Sequence, residues 1–153
     1  MRAACSLCSR CLVLISWTFT QQSFDILRPG LHWDAVQLIC HRTLVRGFQK
    51  LGIFKTPDAP GSGSWNSEEA ILATGISSAF FPHGVGHSLG MDVHDVPSAS
   101  KPINNKTIGG VTLGHESFYT YLRLRLPLEA GMVVVSYSTI HSKYALDQQF
   151  FWM

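Results

Sequence analysis

Residues 80–97 read FFPHGVGHSLGMDVHDVP and contain three histidines, His83, His87 and His94. Imidazole titrates near neutral pH and binds first-row transition metals. The spacing of His83 and His87 matches a helical metal-binding pair, but the proline and the glycines of this stretch disfavour a regular helix. Glycines instead allow a backbone to turn or to approach a ligand closely. Three histidines on one glycine-rich loop therefore indicate a candidate functional site.

A long helix is predicted upstream of this histidine loop. Its apolar residues recur at helical spacing, at Val36, Cys40, Leu44, Phe48 and Leu51. Asp34 occupies a capping or first-turn position, and Gly52 follows Lys50 as a stop signal. The opposite face carries Gln37, His41, Arg42 and Gln49. Because this face is polar, we expect His41 to be a solvated surface residue.

The region downstream of the loop is predicted to form strands. Residues 118–126 alternate loosely between apolar and polar side chains, which is typical of a strand. A turn at residues 128–131 leads into a second, buried strand that begins at Met132. Residues 77–81 also favour a strand, and residues 97–114 predict an exposed loop because they are rich in turn-forming residues. The mixture indicates an α+β fold in which helices cover one face of a sheet.

The composition is that of one ordinary globular domain of 153 residues. Charged residues make up only 14%, which excludes a disordered, highly charged chain, and a net charge of +2 gives no support to nucleic-acid binding. The longest apolar run, residues 11–19, is shorter than the ~20 residues of a membrane-spanning helix, so we expect no membrane partner. The cysteines form no disulfide framework, which predicts a cytoplasmic protein; secretion through a weak signal in residues 1–20 is the alternative.

Residues 83–95, HGVGHSLGMDVHD, resemble the signature of the prolidase and Xaa-Pro aminopeptidase family, which are metallopeptidases with the pita-bread fold. Two flanking stretches agree with this resemblance. LRPGLHWDAV at residues 27–36 resembles the family's entry to a helix, and LRLRLPLEAGMVV at residues 122–134 resembles a family strand–turn–strand. The resemblance covers residues 21–134. It implies an α+β, partial pita-bread domain in which helices cover a curved antiparallel sheet.

The resemblance also implies an activity and a set of site residues. Members of the family hydrolyse the bond between an N-terminal residue and a following proline, using two bridged metal ions, usually manganese. By motif position, His87 resembles the metal-binding histidine, and His83 and His94 resemble two catalytic histidines that flank the peptide. Arg123 resembles an arginine that receives the carboxylate of the substrate; an ordinary surface arginine on a strand is the alternative. The implied partner is a proline-containing peptide, and family members are often homodimers.

The sequence departs from the family pattern at both ends. In the family, two Asp, one His and two Glu hold the metal pair, and the two Asp lie on an upstream hairpin. The pattern of that hairpin does not occur before Gln21. Downstream, Tyr137 stands where the first Glu is expected. Of the five ligands only His87 remains, so we expect weak manganese binding and no catalysis by this chain.

These departures predict three segments. Residues 1–20 are unrelated or disordered, residues 21–135 form a partial peptidase catalytic domain, and residues 136–153 form a tail outside the family pattern. The interpretation that fits best is an inactive fragment, or a mis-spliced version, of a full-length peptidase. Two alternatives stay open. One is a non-catalytic truncated paralogue with a binding or regulatory role, and the other is a different metal chemistry based on the three histidines.

Overall fold

The computed structural model of the chain describes residues 14–15, 17–18, 20–61, 63–95, 107–108, 111–112 and 115–136. Helix α1 is described at residues 14–15, 17–18 and 20–25, and it is followed by α2 (Trp33–Lys50) and α3 (Glu68–Ala73). Three short 3₁₀ helices span Ser64–Asn66, Ile76–Ala79 and Glu116–Tyr119. The strands are β1 (Gly86–Ser88), β2 (Thr107–Ile108), β3 (Val111–Thr112) and β4 (Val134–Ser136).

The described strands pair as two separate antiparallel sheets of two strands each. Strand β1 pairs with β4, with His87 opposite Val135, and β2 pairs with β3. The predicted strand that begins at Met132 is thus confirmed as β4, although the ladder starts two residues later. The combination of helices with antiparallel strands agrees with the α+β class. The larger curved sheet stays a prediction.

Helix α2 is the centre of the core. Its apolar residues form the buried face that the sequence predicts, and Trp33, Val36, Cys40 and Leu44 are fully buried. Neighbouring segments also cover its polar face, so Gln37 and His41 are both 0% exposed. The prediction that His41 is a solvated surface residue is therefore wrong. The buried polar side chains on this face of α2 make hydrogen bonds inside the protein instead of contacting water.

Helix α1 packs along α2. The side chain of Ile15 lies against Gly47, where a Cβ on residue 47 would clash with it. The Ser23 hydroxyl lies 3.3 Å from the Cys40 thiol, and burial raises the pKa of that thiol to about 12. Part of residues 1–20 thus contributes to the core, because Ile15 is only 9% exposed. The predicted bounds at residues 20 and 135 stay predictions.

Two predicted strands are replaced by other structure. Residues 76–79 form a 3₁₀ helix after Gly75, which has a positive φ of 72°. Residues 116–119 form the third 3₁₀ helix, and residues 120–126 join no ladder with the described residues; Pro127 makes only an isolated bridge with His32. The partner segment turns into α2 at Trp33, so the pairing ends there. The predicted strand at residues 118–126 is therefore wrong.

The pairing at this bridge nevertheless fixes residues 122–128 beside the start of α2. The Trp33 N–H donates to the Leu126 carbonyl at 3.0 Å, and the Leu128 N–H donates to the Leu31 carbonyl at 2.8 Å. The predicted turn follows directly, with Gly131 at a positive φ of 93°. Within the ranges given above, none of the helices combines the length and the apolar character needed to cross a bilayer.

Candidate functional site

Strand β1 places His87 next to β4. Its neighbour Gly86 lies opposite Ser136, and a Cβ on residue 86 would overlap the carbonyl oxygen of Val135. Only glycine therefore allows the two strands to approach this closely. The pairing leaves His87 mostly buried, at 8% exposure. The glycine before the central histidine of the loop is thus explained by backbone contact with β4.

The chain after β1 closes a short loop that returns His94 to His87. The Ser88 hydroxyl donates to the carbonyl of Asp95, and the Asp95 N–H donates back to the Ser88 carbonyl at 3.4 Å. The rings of His87 and His94 meet edge to face, with their centroids 4.5 Å apart and an interplanar angle of 74°. A Cβ on Gly90 would overlap the Asp95 carboxylate, so a larger residue there would require this side chain to move.

The His87 ring is oriented by its main-chain partner. Its Nδ1 lies 2.9 Å from the carbonyl oxygen of Ser88, and a carbonyl can only accept a hydrogen bond. Nδ1 is therefore the donor in this contact, and Nε2 is the ring nitrogen that could bind a metal ion. Metal-binding histidines commonly donate the other ring N–H to a backbone carbonyl in this way. The chemistry of His87 thus fits a single metal ligand.

Arg123 reaches the same site from the segment after the third 3₁₀ helix. Gly84 packs so closely on this segment that a Cβ would lie 2.9 Å from the Leu122 Cα and 2.9 Å from the Tyr121 carbonyl oxygen. Arg123 is exposed, and its charge acts on His94. Partial desolvation, followed by the charges of Arg123 and His87, lowers the pKa of His94. The structure therefore brings the His87 and His94 rings together, with Arg123 near enough for its charge to act on His94.

His83 is held at the start of the loop through its main chain. Its side chain is exposed, and its carbonyl oxygen accepts a hydrogen bond from the side-chain amide of Gln37 at 3.2 Å. Gln37 also accepts from the Val85 N–H at 2.7 Å and donates to the Phe118 carbonyl at 2.8 Å. This role of Gln37 could not be predicted from the sequence, because the residue lies on a polar helix face, which favours contact with water.

His41 extends the polar cluster around Gln37 into the core. Its Nε2 lies 3.3 Å from the Gln37 amide nitrogen, and its Nδ1 lies 3.0 Å from the Ser77 hydroxyl. The ring stacks on Phe118 at a centroid distance of 3.8 Å and meets Phe81 edge to face. Burial lowers the pKa of His41 to about 3, so the ring is neutral at physiological pH. It is a structural histidine behind the loop.

A buried ion pair anchors the segment that carries Arg123. The carboxylate of Asp34, which is fully buried, receives two parallel hydrogen bonds from Arg125, at 3.1 Å and 2.5 Å. Burial alone would raise the pKa of Asp34, but hydrogen bonds from His32 and Arg125, together with the charge of Arg125, lower it. The Arg125 guanidinium also lies 5.0 Å from the centroid of the Tyr119 ring. Arg125 thus points to the core, and the exposed Arg123 is left for the site.

The described side chains offer few donors for a metal ion. His87 has the chemistry of one ligand, but the described residues contain no group of three or more His, Cys, Asp or Glu side chains that could hold a metal ion. Tyr137, at the position expected for a Glu ligand, lies outside the described residues. The described residues therefore do not fit a complete metal centre.

Comparison with known proteins agrees with the motif. The sequence model of metallopeptidase family M24 matches residues 1–144. A probable Xaa-Pro aminopeptidase of Paracoccidioides brasiliensis (strain Pb18) is 37% identical over 112 residues, covering 73% of this chain and 20% of that protein. One of Talaromyces marneffei is 34% identical over 113 residues, covering 74% of this chain and 20% of that protein. An uncharacterized peptidase of Saccharomyces cerevisiae is 34% identical over 118 residues, covering 75% of this chain and 18% of that protein.

The chain spans about a fifth of the length of these curated relatives. The family match includes the complete histidine loop and both strands that support it, and it is wider at both ends than the predicted domain of residues 21–135. The family is metal-dependent and implies the pita-bread fold. The resemblance inferred from the histidine loop is confirmed, and the chain belongs to metallopeptidase family M24.

Proposed function

We propose that this chain carries the substrate-facing part of the active site of a peptidase that cleaves Xaa-Pro bonds. The observation that carries the proposal is the contact between the His87 and His94 rings, 4.5 Å apart, with the charge of Arg123 acting on the second ring. It combines a metal-type ligand, a hydrogen-bonding imidazole and a guanidinium within one site. The fungal relatives described as probable Xaa-Pro aminopeptidases support the Xaa-Pro specificity.

Each residue has a role in this proposal. His83 and His94 donate hydrogen bonds to the peptide, and they stabilise the negative charge that develops on the scissile carbonyl oxygen. Arg123 receives the carboxylate of a short substrate, because a guanidinium matches a carboxylate with two parallel hydrogen bonds. His87 presents Nε2 as a metal ligand, with its Nδ1 held by the Ser88 carbonyl. The exposure of His83, His94 and Arg123 agrees with roles at a surface that peptides can reach.

Manganese is the proposed metal, and it performs no catalytic step in this chain. Two divalent ions need several charged ligands, and one neutral imidazole supplies no negative charge. The described residues add no further metal-binding group. We therefore also propose that the 153-residue chain by itself contacts peptides without hydrolysing them.

Peptide binding tests the proposal directly. The chain is titrated with the dipeptide Gly-Pro, with its C-terminal amide and with the reversed dipeptide Pro-Gly, and binding is followed by NMR at the ring protons of His83 and His94. We expect Gly-Pro to perturb both rings and to bind more tightly than the other two. Arg123→Ala should weaken Gly-Pro about tenfold, which corresponds to the loss of one charge-assisted contact, and should leave the amide unchanged.

Arg28→Ala is the matched control, since Arg28 is also exposed and lies outside the loop and its supporting strands. It should change neither affinity. Equal binding of Gly-Pro and Pro-Gly, or equal effects of Arg123→Ala and Arg28→Ala, would contradict the proposed site. Hydrolysis of Gly-Pro by the unmodified chain, sensitive to a chelator and lost in His87→Ala, would overturn the proposal that the chain by itself is inactive.

A further inference from the structure

The buried side chain of Gln37 holds both the histidine loop and the neighbouring 3₁₀ helix. It is 0% exposed, and its hydrogen bonds reach residues 46, 48 and 81 positions away in sequence. Its amide nitrogen donates to the His83 and Phe118 carbonyls, and its oxygen accepts from the Val85 N–H. An amide side chain is suited to this task because it offers donors and an acceptor together.

The main chain around Gly84 needs such a partner. Strand β1 begins at Gly86, and none of the described residues pairs with the peptide groups before it as a strand. The N–H of Val85 is paired by Gln37, and its carbonyl accepts from the Ser136 hydroxyl at 3.3 Å. Buried peptide groups are almost always paired, and the described partners of Val85 are these two side chains. Gln37 therefore determines how the chain enters β1, where His87 follows two residues after Val85.

We propose that Gln37 is a positioning residue for the histidine loop, which orients His83 and His87 toward the peptide through main-chain hydrogen bonds. This inference rests on the proposed function, because orientation of the loop matters only where the loop contacts a substrate. Gln37 itself is buried and touches no substrate. Its effect is transmitted through the His83 carbonyl and the Val85 N–H.

Gln49 provides a matched control on the same helix. Its amide also donates to main-chain carbonyls of a loop, those of Lys55 at 3.3 Å and Asn66 at 2.8 Å. That loop precedes α3 and does not carry the histidines. Replacing either glutamine by methionine keeps the volume and removes the hydrogen bonds, so the two variants differ in the loop that they release.

The experiment compares Gln37→Met and Gln49→Met in the full 153-residue chain. Amide exchange of Val85 is measured relative to that of Leu44, which lies in the buried helix and reports global unfolding. The nuclear Overhauser contact between the His87 and His94 rings is measured alongside. We expect Gln37→Met to accelerate Val85 exchange about tenfold relative to Leu44 and to abolish the ring contact. Gln49→Met should change neither quantity, although both variants lower the overall stability.

Peptide affinity then separates positioning from simple support of the fold. Gln37→Met should weaken Gly-Pro and its amide equally, about tenfold, because the histidines and not Arg123 are displaced. Unchanged ring contact and unchanged affinity in folded Gln37→Met would overturn the inference. If the wild-type chain binds no Gly-Pro, the proposed function fails, while the exchange ratio and the ring contact still decide whether Gln37 orients the loop.

A second variant covers the case in which Gln37→Met does not fold. Gln37→Asn keeps a buried amide, but its side chain is one methylene shorter and cannot span the loop and the Phe118 carbonyl together. We expect it to fold and to lose the ring contact. If Gln37→Asn also fails to fold while Gln49→Met folds, the residue supports the core as a whole, and the positioning role is overturned.

Discussion

The rings of His87 and His94 meet edge to face, with their centroids 4.5 Å apart. Two independent features produce this contact. Pairing of β1 with β4 fixes His87, and the hydrogen bonds between Ser88 and Asp95 return the chain so that His94 reaches it. The geometry of the site therefore depends on the close approach of two strands and on one closed loop, and each dependence can be tested by substitution.

Gly86→Ala should separate β1 from β4. A Cβ at this position overlaps the carbonyl oxygen of Val135, so the strands must move apart, and overpacking of this kind costs about 2 kcal/mol. Gly63→Ala is the control, because a Cβ there makes only ordinary contact with Trp65, at 3.5 Å. Urea unfolding measures both variants. Equal stability of the two variants would show that the strand approach is not tight.

Asp34→Asn should lower the free energy of unfolding, because it breaks the buried ion pair with Arg125. It leaves the Arg125 guanidinium, only 21% exposed, without its carboxylate, and the expected loss is about 3 kcal/mol. The Arg46 side chain is 56% exposed and contacts Glu68. Arg46→Ala removes this contact and should lower the free energy of unfolding by at most about 1 kcal/mol. A larger loss in Arg46→Ala than in Asp34→Asn, measured by chemical denaturation, would contradict this ranking.

The same ion pair predicts an acid dependence. The folded pKa of Asp34 lies below its ordinary value of 3.8, so the unfolded chain binds a proton at this residue more readily than the folded chain does. The contribution to stability is present above pH 3.8 and is lost as the pH falls through the lower folded pKa. Wild-type stability should therefore fall in this range more steeply than that of Asp34→Asn. Parallel curves would refute this assignment.

His41 predicts a separate pH dependence at higher pH. Its pKa is about 3 in the folded chain and 6.5 ordinarily, so below pH 6.5 the unfolded chain takes up a proton that the folded chain does not. As the pH falls from 6.5 to about 3, the stability of the folded chain should therefore decrease by up to about 1.4 kcal/mol per pH unit because of His41. The slope should be smaller by that amount in His41→Gln. Thermal or urea unfolding at several pH values measures the difference, and identical slopes would show that His41 is not buried as a neutral ring.

Catalysis should require more than a single added ligand. Tyr137→Glu, at a position outside the described residues, raises the expected ligand count only from one to two, so this variant should release no N-terminal residue from an Xaa-Pro peptide with added manganese. A chimaera that combines Tyr137→Glu with the family's Asp hairpin and final Glu strand should hydrolyse the peptide, because a two-metal centre is then complete. His87→Ala in that chimaera should abolish turnover. Activity of Tyr137→Glu alone would refute the ligand count.

The family could be predicted from the histidine loop. The glycines and histidines of residues 83–95 are close in sequence, so the motif is visible without the fold, although Gly84 and Gly86 contact distant segments. The long helix was predictable for the same reason, because its apolar residues repeat at the helical period from Val36 to Phe48. Local patterns of this kind require no knowledge of distant contacts.

The burial of the polar face of α2 was decided only by the tertiary structure. A helical repeat shows which residues share a face, but it does not show whether another segment covers that face. Gln37 is buried because its amide meets the main chain of residues 83–85 and 118, and Asp34 is buried because Arg125 reaches it from 91 positions away. The predicted strand at residues 118–126 failed for the same physical reason. Its alternation is local, whereas the hydrogen bonds at residues 126 and 128 are made with residues 30–33, and this partner segment turns into α2 at Trp33.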